Sequence, residues 1–248
     1  MNKAIIGGTG VSSLPNLQGP FTTKTPYGEV KTYRFRIHNE EVVFLPRHGE
    51  NHTSPPHRIP YRANIYALKE LGIKYIYALA TSGAIDPHIR VGSIVVIDDF
   101  LDFTTNRKKT FFDGSDFVVA HTDMSDPYCS NLRKLFINKA KEKKINIIEK
   151  GVYVCTDGPR FESKSEINMY RILKGDIVGM TGIPEVLLAK ECGMCYASIG
   201  LISNMACGVL DENLALHPQA LFLLIDHVFP ESLEDLGKDS RIGFLGMA

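Results

Sequence analysis

Short apolar runs that stop at glycine and hydroxyl residues recur along this chain. Ala4-Ile5-Ile6 leads into Gly7-Gly8-Thr9-Gly10, and Tyr75 to Ala80 leads into Thr81-Ser82-Gly83. Apolar runs without polar alternation mark strands buried on both faces, as in a sheet covered by helices. Between them lie helical patterns. Tyr61, Ile65, Leu68 and Leu71 recur on one helical face, and Gly72 follows as a stop. The alternation predicts an α/β fold: a single domain over residues 1–248, with a twisted mixed central sheet flanked by helices. A chain of 248 residues that is 44% hydrophobic can bury one such core.

The expected elements follow from the same patterns. Thr32 to Ile37 and Glu41 to Leu45 form paired strands around a turn at His38-Asn39-Glu40. Ser93 to Ile97, Gly151 to Thr156 and Tyr196 to Ile202 are further strands. Asp126 is expected to cap a helix that has Pro127 in its first turn and runs to about Lys144. Ser163 to Leu173, Pro184 to Glu191 and Asn213 to Val228 complete the helices, with Pro230 just past the last. Asp102 to Asp123 lacks periodicity, and its length points to an ordered functional loop.

Composition narrows the function. Twenty-eight basic and 28 acidic residues cancel, so no bulk basic face for nucleic acid is indicated. No apolar run reaches the ~18 residues of a membrane span, and the first residues read as a strand and not as a signal peptide. Five cysteines, an odd number, suit a reducing compartment, so a cytoplasmic protein is expected. Cys192-Gly193-Met194-Cys195 has redox or metal spacing, yet it joins a helix end to a strand start and has no second pair to complete a zinc site.

Several segments offer donors for an anion. Gly7-Gly8-Thr9-Gly10 suits either an anion nest or a tight turn. In Arg47-His48-Gly49, arginine supplies a planar fork suited to phosphate and histidine a second donor; a solvated strand end is the plain alternative. His48, His52 and His57 are spaced too irregularly, among stiffening prolines, to argue for zinc. Thr81 stands at a strand's carboxyl end, where open α/β sheets bind ligands. Thr181 can cap the following helix or hold an anion beside its free N–H groups.

The ordered set of segments resembles a known family. Ile6-Gly7-Gly8-Thr9-Gly10, Arg47-His48-Gly49, Asp113-Gly114-Ser115, Gly158-Pro159-Arg160-Phe161 and Met180-Thr181-x-x-Pro184-Glu185 are similar to the trimeric purine nucleoside phosphorylase and methylthioadenosine phosphorylase family. The likeness runs from residue 3 to about residue 210, and the framework is nearer the methylthioadenosine branch. The resemblance implies phosphorolysis of a purine nucleoside to a free base and a pentose 1-phosphate. Inorganic phosphate is a co-substrate, and neither a metal nor an organic cofactor is needed. It implies phosphate contacts from Thr9, Arg47, His48, Ala80, Thr81 and Thr181, with Ala80 standing where the branch usually has a hydroxyl. Met180 would lie beneath the sugar and Phe161 against the base. Assembly would be a homotrimer or a dimer of trimers.

The base-reading positions depart from the methylthioadenosine branch. That branch has a serine after Gly-Pro-Arg-Phe and two aspartates near the end of the last strand; here Glu162, Asn204 and Ala206 occupy those places. This set resembles the inosine and guanosine branch. A 6-oxopurine presents N1–H as donor and O6 as acceptor, matching a carboxylate and a carboxamide. Alone, Glu162 also suits a helix N-terminus and Asn204 a turn. Asn204 and His48 are the expected catalytic residues. His121 resembles a residue that reaches a neighbouring subunit's pocket, or is a solvated loop histidine, and His217 is another candidate for the 5′ end of the sugar. The expected activity is therefore phosphorolysis of inosine and guanosine. The alternatives are 5′-methylthioinosine phosphorolysis, then 5′-methylthioadenosine phosphorolysis, or a catalytically silent nucleoside-binding protein.

Overall fold

The computed structural model describes residues 1–8, 16–37, 40–114 and 119–209. Thr9, the turn at His38-Asn39, Ser115, His217 and the helix expected over Asn213 to Val228 lie outside them. The described residues form nine strands and four α-helices. The strands are β1 (Lys3–Gly7), β2 (Gln18–Thr25), β3 (Gly28–Ile37), β4 (Glu40–Pro46), β5 (Tyr75–Ala84), β6 (Ile94–Asp102), β7 (Ile148–Cys155), β8 (Ile177–Gly179) and β9 (Cys195–Met205). The helices are α1 (Tyr61–Glu70), α2 (Ser130–Glu142), α3 (Lys164–Ile172) and α4 (Gly182–Glu191).

All nine strands join one mixed sheet in the order β2-β3-β4-β1-β5-β8-β7-β6-β9. β9 also pairs back to β5 in parallel, so β5, β8, β7, β6 and β9 close into a ring. Along the central strands successive residues serve opposite faces. Ala4, Ile6, Ile76 and Ala78 pack with α1 and α4, through Ile65, Leu68, Val186 and Leu188. Ile5, Tyr77, Leu79 and Ile199 pack on the other side against Leu132 and Phe136 of α2. Burial on both faces is why these strands read as unbroken apolar runs.

The structure corrects several boundaries. β2 escapes a pattern search because most of its residues are exposed and it contains Pro20, which is tolerated at a sheet edge. β8 has only three residues. α2 begins at Ser130 and not at the Asp126 cap: Pro127 and Tyr128 are buried before the helix starts, and Asp126 instead accepts a 2.7 Å bond from Arg133. α3 is capped as expected, with Ser163 and Glu166 forming a reciprocal capping box.

The cysteines depart furthest from the sequence reading. Cys129, at the cap of α2, and Cys195, at the start of β9, form a disulfide with Cα atoms 5.2 Å apart. Cys155, Cys192 and Cys207 are free. The bridged residues are 66 positions apart, so no local spacing announces the pair. The odd count thus hides one bridge beside three free thiols.

Candidate active site

The ends of β1, β4, β5, β8 and β9 converge on a cavity of about 450 Å³. Its lining includes Gly8, Arg47, His48, Thr81 and Thr181 together with Phe161, Glu162, Met180, Asn204 and Ala206. Ligand sites of α/β sheets lie at such strand ends. Most of the residues singled out in the sequence therefore meet in one place.

Arg47 directly follows β4, where its N–H bonds Gly7 of β1 at 2.9 Å. Its side chain is buried and already engaged. Nε and Nη2 each donate to Glu185 at 2.7 Å, and Nη1 donates to the Leu79 carbonyl at 2.7 Å. Burial alone would lower the guanidinium pKa, but the Glu185 carboxylate reverses this and raises it. The fork expected to clasp phosphate is thus occupied by Glu185, and only the remaining N–H groups face a ligand. A Cβ on Gly8 would sit 2.7 Å from Nη1, so glycine is required where β1 passes the guanidinium.

His48 differs from expectation in its polarity. Its Nδ1 lies 2.8 Å from the Ser54 carbonyl, which only accepts, so Nδ1 carries the proton. Its pKa is pulled down to about 4, chiefly by burial and further by Arg47 and His52, against the bond to Ser54. Near neutral pH the ring is uncharged, and Nε2 is an acceptor and not the second donor anticipated. His52 stacks on it at 4.0 Å between ring centroids.

Thr181 occupies the cap position of α4 but makes no capping bond. The N–H groups of Thr181 and Gly182 point to the Tyr153 hydroxyl, at 3.2 and 3.4 Å. These helix donors are therefore not free for an anion. Ala80 is 1% exposed, belongs to the core and does not line the cavity; Thr81 and Ser82 do. His121 is exposed and is not among the residues lining its own chain's cavity.

Asn204 is held in one orientation. Nδ2 donates to the Met205 carbonyl at 2.9 Å, and Oδ1 accepts from Ser203 at 2.8 Å. A carbonyl cannot pair with Oδ1, so the nitrogen is fixed and its second N–H remains for a ligand. Ser203 and Asn204 are adjacent, yet both line the cavity. A bulge makes this possible: the register of β9 against β5 shifts between Ser82 and Gly83, breaking the strict alternation of faces. Gly83 gives the carboxamide room, since a Cβ there would lie 3.0 Å from Nδ2. Glu162, 7% exposed, accepts from the Thr156 hydroxyl at 2.7 Å.

Sequence reasoning missed three residues that organise the site. Glu185 stood in a quoted motif without a role, although a carboxylate at 0% exposure demands a partner. Thr156 gave no signal at all. Arg107, in the unpatterned loop, donates to the carbonyls of Thr156, Asp157, Met180 and Ile183, so it ties the backbone after β7 to the backbone that leads into α4. Among the described residues, no cluster of three or more His, Cys, Asp or Glu side chains could hold a metal ion.

The chain is similar to several known proteins. A 6-oxopurine nucleoside phosphorylase of Pyrococcus furiosus is 45% identical over 227 residues, covering 89% of this chain and 85% of the relative. A probable S-methyl-5'-thioinosine phosphorylase of Methanothermobacter thermautotrophicus is 44% identical, covering 86% of this chain and 74% of the relative. Among solved structures, methylthioadenosine phosphorylase of Schistosoma mansoni in complex with tubercidin superposes with a TM-score of 0.89 at 30% identity, covering 96% and 93% of the two chains. Residues 2–223 match the Phosphorylase superfamily, and with the strand-end cavity and its ordered motifs this chain belongs to that superfamily.

Proposed function

We propose that this chain phosphorolyses 6-oxopurine nucleosides, converting inosine and guanosine with inorganic phosphate to the free base and a pentose 1-phosphate. One observation carries the reading: a fixed Asn204 N–H and the buried Glu162 carboxylate line the same cavity as Arg47 and His48. Asn204 donates to O6 or N7 of the base, and Glu162 accepts from N1–H. Adenine offers a lone pair at N1, so it would face the carboxylate unpaired, a mismatch that can cost several orders of magnitude.

The chemistry follows from the placement. Phosphate sits at Arg47 and His48, beside Thr81 and Thr181. One phosphate oxygen bonds to the anomeric carbon as the bond from that carbon to N9 breaks. The bond's electron pair moves onto the purine, which leaves as an anion and then takes a proton from water. The sugar passes through a cationic stage that the phosphate charge stabilises, so positioning and electrostatics supply most of the rate. Asn204 strengthens its bond as charge grows on O6 and N7. Nε2 of His48 accepts a phosphate O–H. No metal or organic cofactor enters these steps.

We further propose a homotrimer or dimer of trimers in the cytoplasm. In support, His121 is exposed on its own chain, available to a neighbour's cavity. Light scattering reads the assembly and cell fractionation the location.

The test is catalytic efficiency on inosine, guanosine, methylthioinosine, adenosine and methylthioadenosine, with and without phosphate. Preference for an oxopurine nucleoside, dependent on phosphate, is expected. Preference for an adenine nucleoside overturns the reading. Cleavage without phosphate, or none with any nucleoside, favours a non-phosphorolytic protein. A best rate on methylthioinosine selects the second reading, which the likeness to the Methanothermobacter protein supports.

A further inference from the structure

Glu162 separates two cavities. It lines the 450 Å³ nucleoside cavity, and also a second cavity of about 230 Å³ bordered by Thr105, Thr156, Asp157, Arg160 and Glu166. Its carboxylate borders both, so its orientation decides which one it serves. It reads a base only if something holds it toward the nucleoside.

We infer that Thr156 is a positioning residue for base selection, locking the Glu162 carboxylate by its hydroxyl. This rests on the 6-oxopurine reading proposed above. Oγ1 donates to Glu162 Oε1 at 2.7 Å, with Thr156 8% and Glu162 7% exposed. A hydroxyl has one proton, so this bond occupies Oε1 and leaves Oε2 for the N1–H of the base. The anchor is itself immobile. Thr156 N–H donates to the Gly179 carbonyl at 3.0 Å, and its carbonyl accepts from Arg107 at 3.1 Å. Both side chains are shielded, where a bond to a charged acceptor is worth more than at a surface. Thr156 does not line the nucleoside cavity, so its hydroxyl reaches the base through Glu162.

The test uses Thr156→Val, which keeps the shape and removes the hydroxyl, and Thr156→Ser, which keeps the hydroxyl. For Thr156→Val, kcat/KM on inosine is expected to fall about 10- to 100-fold, the worth of a hydrogen bond to a charged group. Efficiency on adenosine and the KM for phosphate should stay within about twofold, the scatter of independent sites. The inosine-to-adenosine ratio thus collapses, and Thr156→Ser restores most of it. In a Glu162→Gln background, Thr156→Val should cost nothing further. Equal losses on both nucleosides, a raised phosphate KM or full additivity with Glu162→Gln would show a merely structural role and overturn the inference. Wild-type protein without oxopurine preference defeats the proposed function and this inference together. Wild-type preference with an unaffected Thr156→Val variant defeats this inference alone.

Discussion

Glu185 grips the Arg47 guanidinium along one edge, Nε to Oε2 and Nη2 to Oε1 at 2.7 Å each, with both side chains 1% exposed. The Tyr196 hydroxyl adds a third bond to the same carboxylate at 2.7 Å. The pair ties the end of β4 to α4 and β9. Removing one partner of a buried ion pair typically costs about 3–5 kcal/mol, because the other charge is left uncompensated. Glu185→Ala is expected to lose about that much stability in urea unfolding. Its KM for phosphate should rise as Arg47 loses its fixed aim. Unchanged stability would mean that water replaces the carboxylate.

His48 makes stability depend on pH. In the unfolded chain it titrates near its ordinary 6.5, while in the folded protein burial holds it down to about 4. Between these values the unfolded state binds the extra proton, so stability is present above 6.5 and is lost as pH falls toward 4. The contribution is roughly 1–3 kcal/mol, after allowance for solvent near the ring. Arg47, His52 and Glu185 are the charged or titratable groups acting on it. Urea midpoints measured from pH 7 to 4 should decline for the wild type and decline less for His48→Asn. Parallel curves would remove His48 as the source.

Gly83 and Asn204 should be coupled. Adding a methyl by Gly83→Ala places a carbon 3.0 Å from Asn204 Nδ2, so the carboxamide must shift. A loss of about 10- to 100-fold in kcat on inosine is expected when a bond to developing charge is misaimed. Asn204→Asp should abolish oxopurine activity and open some activity on adenine nucleosides. Unaltered selectivity in Asn204→Asp would separate this residue from base recognition.

The Cys129–Cys195 bridge encloses a long stretch of chain, with partners 66 residues apart. Bridges of this kind typically contribute about 2–4 kcal/mol, largely by restricting the unfolded chain. Reduction, or the Cys129→Ser and Cys195→Ser double variant, should lower the urea midpoint accordingly while leaving kcat/KM on inosine unchanged. A stable reduced protein with the same midpoint would show that packing of α2 on β9 suffices.

What could be read from sequence followed burial and local pattern. The central strands declared themselves because both faces are apolar, and the motif residues collected at their ends as strand-end ligand sites require. Side-chain partners were not legible. Nothing local to Arg47 says that Glu185, 138 positions away, takes its fork. Nothing near His48 says that Ser54 fixes its tautomer, and nothing near Thr156 says that its hydroxyl meets Glu162. The bulge at Ser203 was also hidden, since register is a relation between two strands. Those four relations decide how the site behaves.

The closed ring of β5, β8, β7, β6 and β9 has a dynamic consequence. β5 lies between β1 and β9 over Tyr75 to Ala78 and between β8 and β9 at Gly83 and Ala84, so its amides should be released chiefly when the core itself opens. Thr81 lies on β5 and Asn204 on β9, both within this ring. Arg160 and Phe161 stand exposed on the connection from β7 to α3. Hydrogen exchange should therefore run orders of magnitude faster across residues 157–163 than along β5. Equal exchange across the two segments would show that the ring gives Asn204 no firmer setting than the connection that carries Phe161.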